Sequence, residues 1–225
     1  MSTRFVLGVS ILTVVVGAFV WSMAPTAVAD DLAAVRAVAL PAATVADDKY
    51  EYVGDSKCKM CHVQQHKSWR KTRMGNAFDT LKPGAAADAK KAHGMDPEKD
   101  YTRDETCLAC HTTGFGKAGG YAVPDPNDKA AVKLAKKRRN VGCESCHGPG
   151  SAYIDVFMDI LMTKRKYKVE ELYAVGLTKI DESTCTVCHN DKSPTFDATT
   201  GFDFDEMSSK REQFHELVPL KQREE

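Results

Sequence analysis

The chain has 225 residues, with 31 basic and 31 acidic side chains and a formal net charge of zero at pH 7. That balance gives no support for nucleic-acid binding, which asks for a basic surface, and the length suits one domain or two. Hydrophobic content is ordinary at 43%, but aromatics make up only 8%, so the protein's own share of the core is thin.

Met1 to Arg4 forms a short basic start, and Phe5 to Trp21 is apolar apart from Ser10, Thr13 and small glycines. Ala27-Val28-Ala29 then offers a small-x-small cleavage site before Asp30. This is the layout of a secretory signal peptide over residues 1–29. The alternative is an uncleaved membrane anchor, since the apolar run is long for a signal and slightly short for a comfortable span. Residues 30–49 are rich in Ala and Val with scattered Asp, and contain no Gly and no aromatic residue. They read as a poorly ordered tether. The folded domain is expected over residues 50–225.

Asp55 and Ser56 suit a helix N-cap, and Cys58, Cys61 and His62 then fall at i, i+3 and i+4 on one helical face. His66 and Trp69 continue that face, and Met74 closes the segment before Gly75. Leu81 to Gly84 is a turn, followed by a short Ala/Lys helix up to His93-Gly94. Asp104-Glu105-Thr106-Cys107 and Asp181-Glu182-Ser183-Thr184-Cys185 repeat one wording, in which an acidic N-cap starts a helix. Between Gly114 and Tyr121 four glycines let backbone pass close to something flat and bulky, or form a plain flexible loop. Lys129 to Arg139 is a basic helix, readable as a solvated face or as a docking patch for an acidic redox partner. Gly142 to Gly150 is a compact glycine-bounded turn around Cys143, Cys146 and His147.

Ser151 to Lys166 is amphipathic, with Tyr153, Ile154, Phe157, Ile160 and Leu161 as its apolar stripe. A second helix is expected from Val169 to Val175, and a last one from Asp205 to Leu217 carrying Met207 and His215. No strand pattern occurs, so the predicted fold is mainly α with little regular sheet.

The chemistry lies in one spelling that occurs four times: Cys58-x-x-Cys61-His62, Cys107-x-x-Cys110-His111, Cys143-x-x-Cys146-His147 and Cys185-x-x-Cys188-His189. All eight cysteines belong to these motifs. Cysteine pairs also build zinc sites, redox dithiols and disulfide frameworks. None of those needs a histidine directly after every second cysteine. With seven histidines in 225 residues, four such placements by chance have a probability of roughly one in a million. The spelling attaches c-type haem: both thiols add to vinyl groups and the histidine ligates the iron. Four covalent haems are therefore expected, with much of the core built of porphyrin, and a haem face or edge is the natural neighbour of the glycines between Gly114 and Tyr121. Export fits, since c-type haem is attached outside the cytoplasmic membrane in bacteria.

Four irons need four proximal ligands, His62, His111, His147 and His189, which leaves His66, His93 and His215. At least one iron is then open, takes a methionine, or borrows a ligand from another chain. His66 lies one turn after His62 and points beside that haem; His93 suits a surface; His215 is the best distal candidate. Met74, Met158, Met162 and Met207 are candidate thioether ligands, although each also suits core packing.

The motifs resemble a known family. Lys57-Cys58-x-x-Cys61-His62, Ser68-Trp69, Leu81-Lys82-Pro83, Asp96-Pro97-x-Lys99-Asp100-Tyr101-Thr102, Gly114-Phe115-Gly116, Gly119-Gly120-Tyr121, Val141 to Gly150, and Phe204-Asp205-Glu206-Met207 with His215 look like the tetrahaem cytochrome c-554 family of ammonia-oxidising bacteria. The resemblance implies a mainly helical periplasmic protein with closely packed haem pairs. It implies electron uptake from a hydroxylamine oxidoreductase-like donor and delivery to a downstream cytochrome or quinone reductase. It also implies three bis-histidine haems and a five-coordinate one on Cys107, Cys110 and His111, where nitric oxide reduction has been proposed. Two of the family's distal histidines are missing: Met74 stands at one place, and Phe157, with Met158 beside it, at the other. Only His215 is kept, so Met74 and Met158 are the expected substitutes.

The expected function is electron transfer through four haems. Two alternatives are a small-molecule reductase at an open iron and a membrane-anchored quinol dehydrogenase. Paired carboxylates, a nucleotide loop and a nucleophile triad are all lacking, which argues against hydrolytic or nucleotide chemistry.

Overall fold

A computed structural model describes residues 49–220 and 222–224. The expected signal at 1–29 and all of the expected tether except Lys49 lie outside the described residues. Among the described residues the secondary structure is helical, with two isolated bridges, Thr112 with Arg139 and Tyr167 with Arg223, and no sheet. No helix there is long and apolar enough to cross a membrane.

The helices are short. In chain order they are α1 (Asp55–Cys58), α2 (Val63–Trp69), α3 (Ala87–Ala92), α4 (Glu105–His111), α5 (Lys129–Lys136), α6 (Cys143–His147), α7 (Ser151–Thr163), α8 (Val169–Tyr173), α9 (Glu182–Thr186) and α10 (Phe204–Ser209). A 3-10 helix runs over Met74–Leu81 and another over Arg211–Gln213. The acidic starts cap their helices as expected. Asp104 accepts from the Thr106 N–H, and Asp181 from the Ser183 and Thr184 N–H groups, satisfying donors left free at a helix start. α7 stops where Lys164 turns left-handed at φ 54°.

Three expected elements differ. The first motif is not one continuous helix: the chain tightens after Cys58, with the Met60 and Cys61 N–H groups bonded three residues back, and α2 starts only at Val63. Gly54, not Asp55 or Ser56, is its N-cap. The last helix is also broken, so His215 follows the short 3-10 turn rather than riding on a helix. Finally, the basic helix ends at Lys136, and Arg138 is buried, donating to the carbonyls of Gly119 and Tyr52.

Two small apolar clusters hold the chain. Phe78, Leu81, Tyr101, Leu108, Tyr121 and Ala135 pack together with Cys107 and Phe115 at their edge. Phe157, Ile160, Tyr167 and Leu172 form the other, with Tyr153 and Leu161 against them. The apolar stripe of α7 thus faces inward at Phe157 and Ile160.

The glycine-rich loop passes close to Tyr52. A Cβ at Gly114 would lie 2.7 Å from Cγ of that ring, and Gly119 packs on the Tyr52 backbone. Among the described residues the flat group that these glycines approach is the Tyr52 ring.

Candidate haem sites

The segment before the third motif gathers the others around it. The Trp69 indole N–H donates to the Val141 carbonyl at 2.9 Å, and the Val141 N–H donates to Met74 O at 3.1 Å. Asn140 Oδ1 accepts from the Phe78 N–H at 2.9 Å. Thr113, just after the second motif, donates to Asn140 O and accepts from the Gly142 N–H, both at 2.9 Å.

Inside the motif, Glu144 is only 3% exposed. Its carboxylate accepts from the N–H groups of Val53 at 2.9 Å, Gly54 at 2.7 Å and Gly150 at 2.7 Å. Burial pushes its pKa up, against the pull of these donors and of Arg138. The motif spelling alone gives Glu144 no role. Its one signal in the sequence is a carboxylate among glycines, whose bare N–H groups can converge on it.

No disulfide joins the cysteines, and among the described residues no three or more His, Cys, Asp or Glu converge as a metal cage. The thiols meet instead between motifs. The Cys58 thiol lies beside that of Cys143, and the Cys110 thiol beside that of Cys188. α1 packs on α6 and α6 on α9, with Cys146 close enough to Cys185 to feel its charge. The motifs are therefore adjacent in the order first, third, fourth, second.

The histidines test whether haem fits. An iron sits about 2 Å from an imidazole nitrogen, so two rings sharing one iron in trans have centres about 6 Å apart. His147 and His215 have ring centroids 6.1 Å apart. His215 Nδ1–H donates to the Glu216 carbonyl at 2.9 Å, which leaves Nε2 with a free lone pair. His111 Nδ1–H likewise donates to Ala77 O at 2.7 Å, freeing its Nε2. Burial, with His215 and His62 nearby, pushes the His147 pKa down to about 4, which keeps it neutral as a ligand must be. Burial also lowers His62, with His215 adding to it, and lowers His189. These surroundings fit haem c at the motifs.

The remaining candidates separate. His66 Nε2 pairs with Asp55 at 2.9 Å, and His93 is exposed. His189 stacks on Phe202 at 4.7 Å, too close for a ring sharing an iron with it. Phe157 lies 5.9 Å from the His62 ring, whereas Met158 is 40% exposed. Met158 is thus the poorer-placed of the two α7 neighbours, because the next residue along a helix points about 100° away. Met74 has its backbone fixed beside the third motif.

The family model described as cytochrome c554 and c-prime matches residues 57–148, from the first motif through the third. Cytochrome c-554 of Nitrosomonas europaea is 32% identical over 194 residues, covering 78% of this chain and 78% of that protein. The chain belongs to the cytochrome c554 family. The solved reduced state of cytochrome c554 from Nitrosomonas europaea superposes with a TM-score of 0.67 at 31% identity, covering 78% of this chain and 90% of that one. As a cytochrome c554 relative, the chain is a multihaem electron-transfer cytochrome with covalently bound haem c, and its partners are redox proteins.

Proposed function

We propose that this chain is a periplasmic tetrahaem cytochrome that takes electrons from a hydroxylamine oxidoreductase-like donor and passes them to a downstream cytochrome or quinone reductase. Haem c, when bound, supplies the one-electron iron couple. The observation that carries the reading is the unbroken adjacency of the motifs, Cys58 to Cys143, Cys146 to Cys185 and Cys188 to Cys110. The chain's residues then do three things. Cys58, Cys61, Cys107, Cys110, Cys143, Cys146, Cys185 and Cys188 fix four groups in a row; His62, His111, His147 and His189 supply proximal nitrogens; His215 supplies a distal one opposite His147.

The domain reading goes with it: residues 1–29 are a signal removed on export, 30–49 a tether, and 50–225 the haem-bearing domain. Intact mass of the purified holoprotein tests both parts together. We expect a mass of the chain from Asp30 plus four haems, and rapid reduction by the donor. A retained N-terminus would favour the membrane-anchored quinol dehydrogenase; fewer than four haems would remove the continuous row.

A second reading, small-molecule chemistry at the second motif, is favoured by His111. Among the described residues no histidine ring stands against it, while its Nδ1 is held by Ala77.

A further inference from the structure

The first motif is an end of the row, and the chain around it carries charge of one sign. Residues 56–78 hold six of the 31 basic side chains, Lys57, Lys59, Lys67, Arg70, Lys71 and Arg73, and none of the 31 acidic ones. All six are exposed. Among the described residues Lys57, Lys59, Lys67, Lys71 and Arg73 form no ion pair, and Arg70 lies over the Trp69 ring at 6.0 Å. The acids that border the stretch are engaged: Asp55 meets His66 Nε2 at 2.9 Å, and Asp79 pairs with Lys82 at 2.5 Å. Folding brings Glu216 against α2, its N–H donating to Ser68 Oγ at 2.7 Å, which offsets part of the charge.

Charge alone reads as a solvated face. Three further features set this one apart. Met60 and Val63 stand among the cations, 69% and 55% exposed, and give the face an apolar centre. Cys61, between them, is the one exposed cysteine of the eight, so the group it anchors is the one within easiest reach from outside. The face is also firmly held. Trp69 is 5% exposed, and its indole N–H donates to Val141 O at 2.9 Å, tying α2 to the chain that leads into the third motif. A small apolar centre rimmed by charge of one sign, at the end of a row, has the layout of a transient redox interface. The rim steers the encounter and the centre lets the two surfaces close.

We propose that this α1–α2 face is a docking surface for an acidic one-electron redox protein, which exchanges electrons with the chain through the first motif. One electron passes per encounter: the partner's centre and one iron of the chain change oxidation state in opposite directions, and no bond forms or breaks. The surface is distinct from the basic α5, which packs towards the second motif through Ala135. It rests on the reading that Cys58 and Cys61 carry haem.

Reduced plant-type ferredoxin, an acidic one-electron donor, is the probe. Carbodiimide treatment of its mixture with the holoprotein should join its carboxylates to Lys57, Lys59, Lys67 or Lys71, read by peptide mass mapping. Reversing three exposed charges together, Lys59→Glu, Lys67→Glu and Lys71→Glu, should slow haem reduction by about fivefold or more at low salt. The difference should close as salt screens the patch. The α5 lysines stay in place in that variant, so the loss reports on this face. Cross-links that avoid these four lysines overturn the proposal. So does a rate loss that persists at high salt, and so does an unchanged rate at low salt. An unchanged rate joined to lost binding of phosphatidylglycerol vesicles would assign the face to a membrane surface instead. Intact mass keeps this inference apart from the reading it rests on. A chain without haem on Cys58 and Cys61 removes both. A fully loaded chain that hydroxylamine oxidoreductase fails to reduce removes that donor alone, because the ferredoxin rates still decide for or against this face.

Discussion

Glu144 occupies a position where the Cys-x-x-Cys spelling leaves the residue free, yet it holds three backbone N–H groups. Its carboxylate ties Val53 and Gly54, which lead into the first motif, to Gly150, which follows the third. The Cys58–Cys143 thiol pair lies across the same junction. Removing the carboxylate strands three buried N–H groups, each costing about 1–3 kcal/mol. We expect Glu144→Ala to destabilise the holoprotein by about 3 kcal/mol or more, read by guanidinium unfolding. Glu144→Gln, which keeps the volume and one acceptor oxygen, should lose less; a Gln variant as stable as wild type would mean that the side chain acts by filling space. The His147–His215 pair gives a second test at this scale. His215→Ala should convert one low-spin haem to high-spin in low-temperature magnetic resonance and leave the haem count unchanged. An unaltered spectrum would show that the 6.1 Å spacing is packing and not ligation.

Among the elements, those governed by local chemistry are legible in the amino-acid sequence. Asp104 and Asp181 cap their helices because a carboxylate after irregular backbone satisfies free N–H groups, which a four-residue window reveals. α7 is legible from its apolar stripe. What the sequence hides depends on partners far along the chain. Tyr52 fills the concave side of the glycine loop, so the loop's glycines answer to a ring more than sixty residues upstream of Gly114. Arg138 has the sequence context of a solvated basic helix, but its guanidinium is spent on three carbonyls. Tyr153 falls in the core stripe by spacing, and only the fold brings its hydroxyl to His62. The loop offers a paired measurement. Gly114 and Gly116 both have positive φ, 65° and 71°, but a Cβ meets Tyr52 only at Gly114 and open space at Gly116. Alanine should cost about 1–2 kcal/mol at Gly116 for the backbone alone and roughly 1–3 kcal/mol more at Gly114, where the ring must also move. Equal costs, measured by thermal unfolding, would mean that the Tyr52 contact contributes nothing to the loop.

At the scale of the whole molecule, the formal charge is zero, so any electrostatic steering must come from how charge is distributed. α5 offers one such concentration. Lys129, Lys133 and Lys136 flank a groove with Pro126 and Val132, and Leu134 beside them is 50% exposed. Among the described residues no ion pair is formed by these lysines. The opposite face of α5 sends Ala135 into the cluster that includes Leu108 and borders Cys107 of the second motif. A partner seated on the lysines is thus separated from the second motif by one helix and one layer of side chains. The second motif is also an end of the row formed by the thiol contacts, and electrons must enter or leave a row at an end. Unpaired cations around a partly apolar groove match an acidic redox partner, and such charges act mainly on the rate of encounter. Replacing Lys129, Lys133 and Lys136 by Glu should therefore slow bimolecular electron exchange with that partner by about tenfold or more at low salt. The difference from wild type should shrink as ionic strength rises and the screening length falls towards the size of the patch. Haem spectra and midpoint potentials should stay unchanged, because the lysines face away from the motif. A rate loss that persists at high salt would place the damage in the haem environment, and an unchanged rate at low salt would leave α5 as a solvated face.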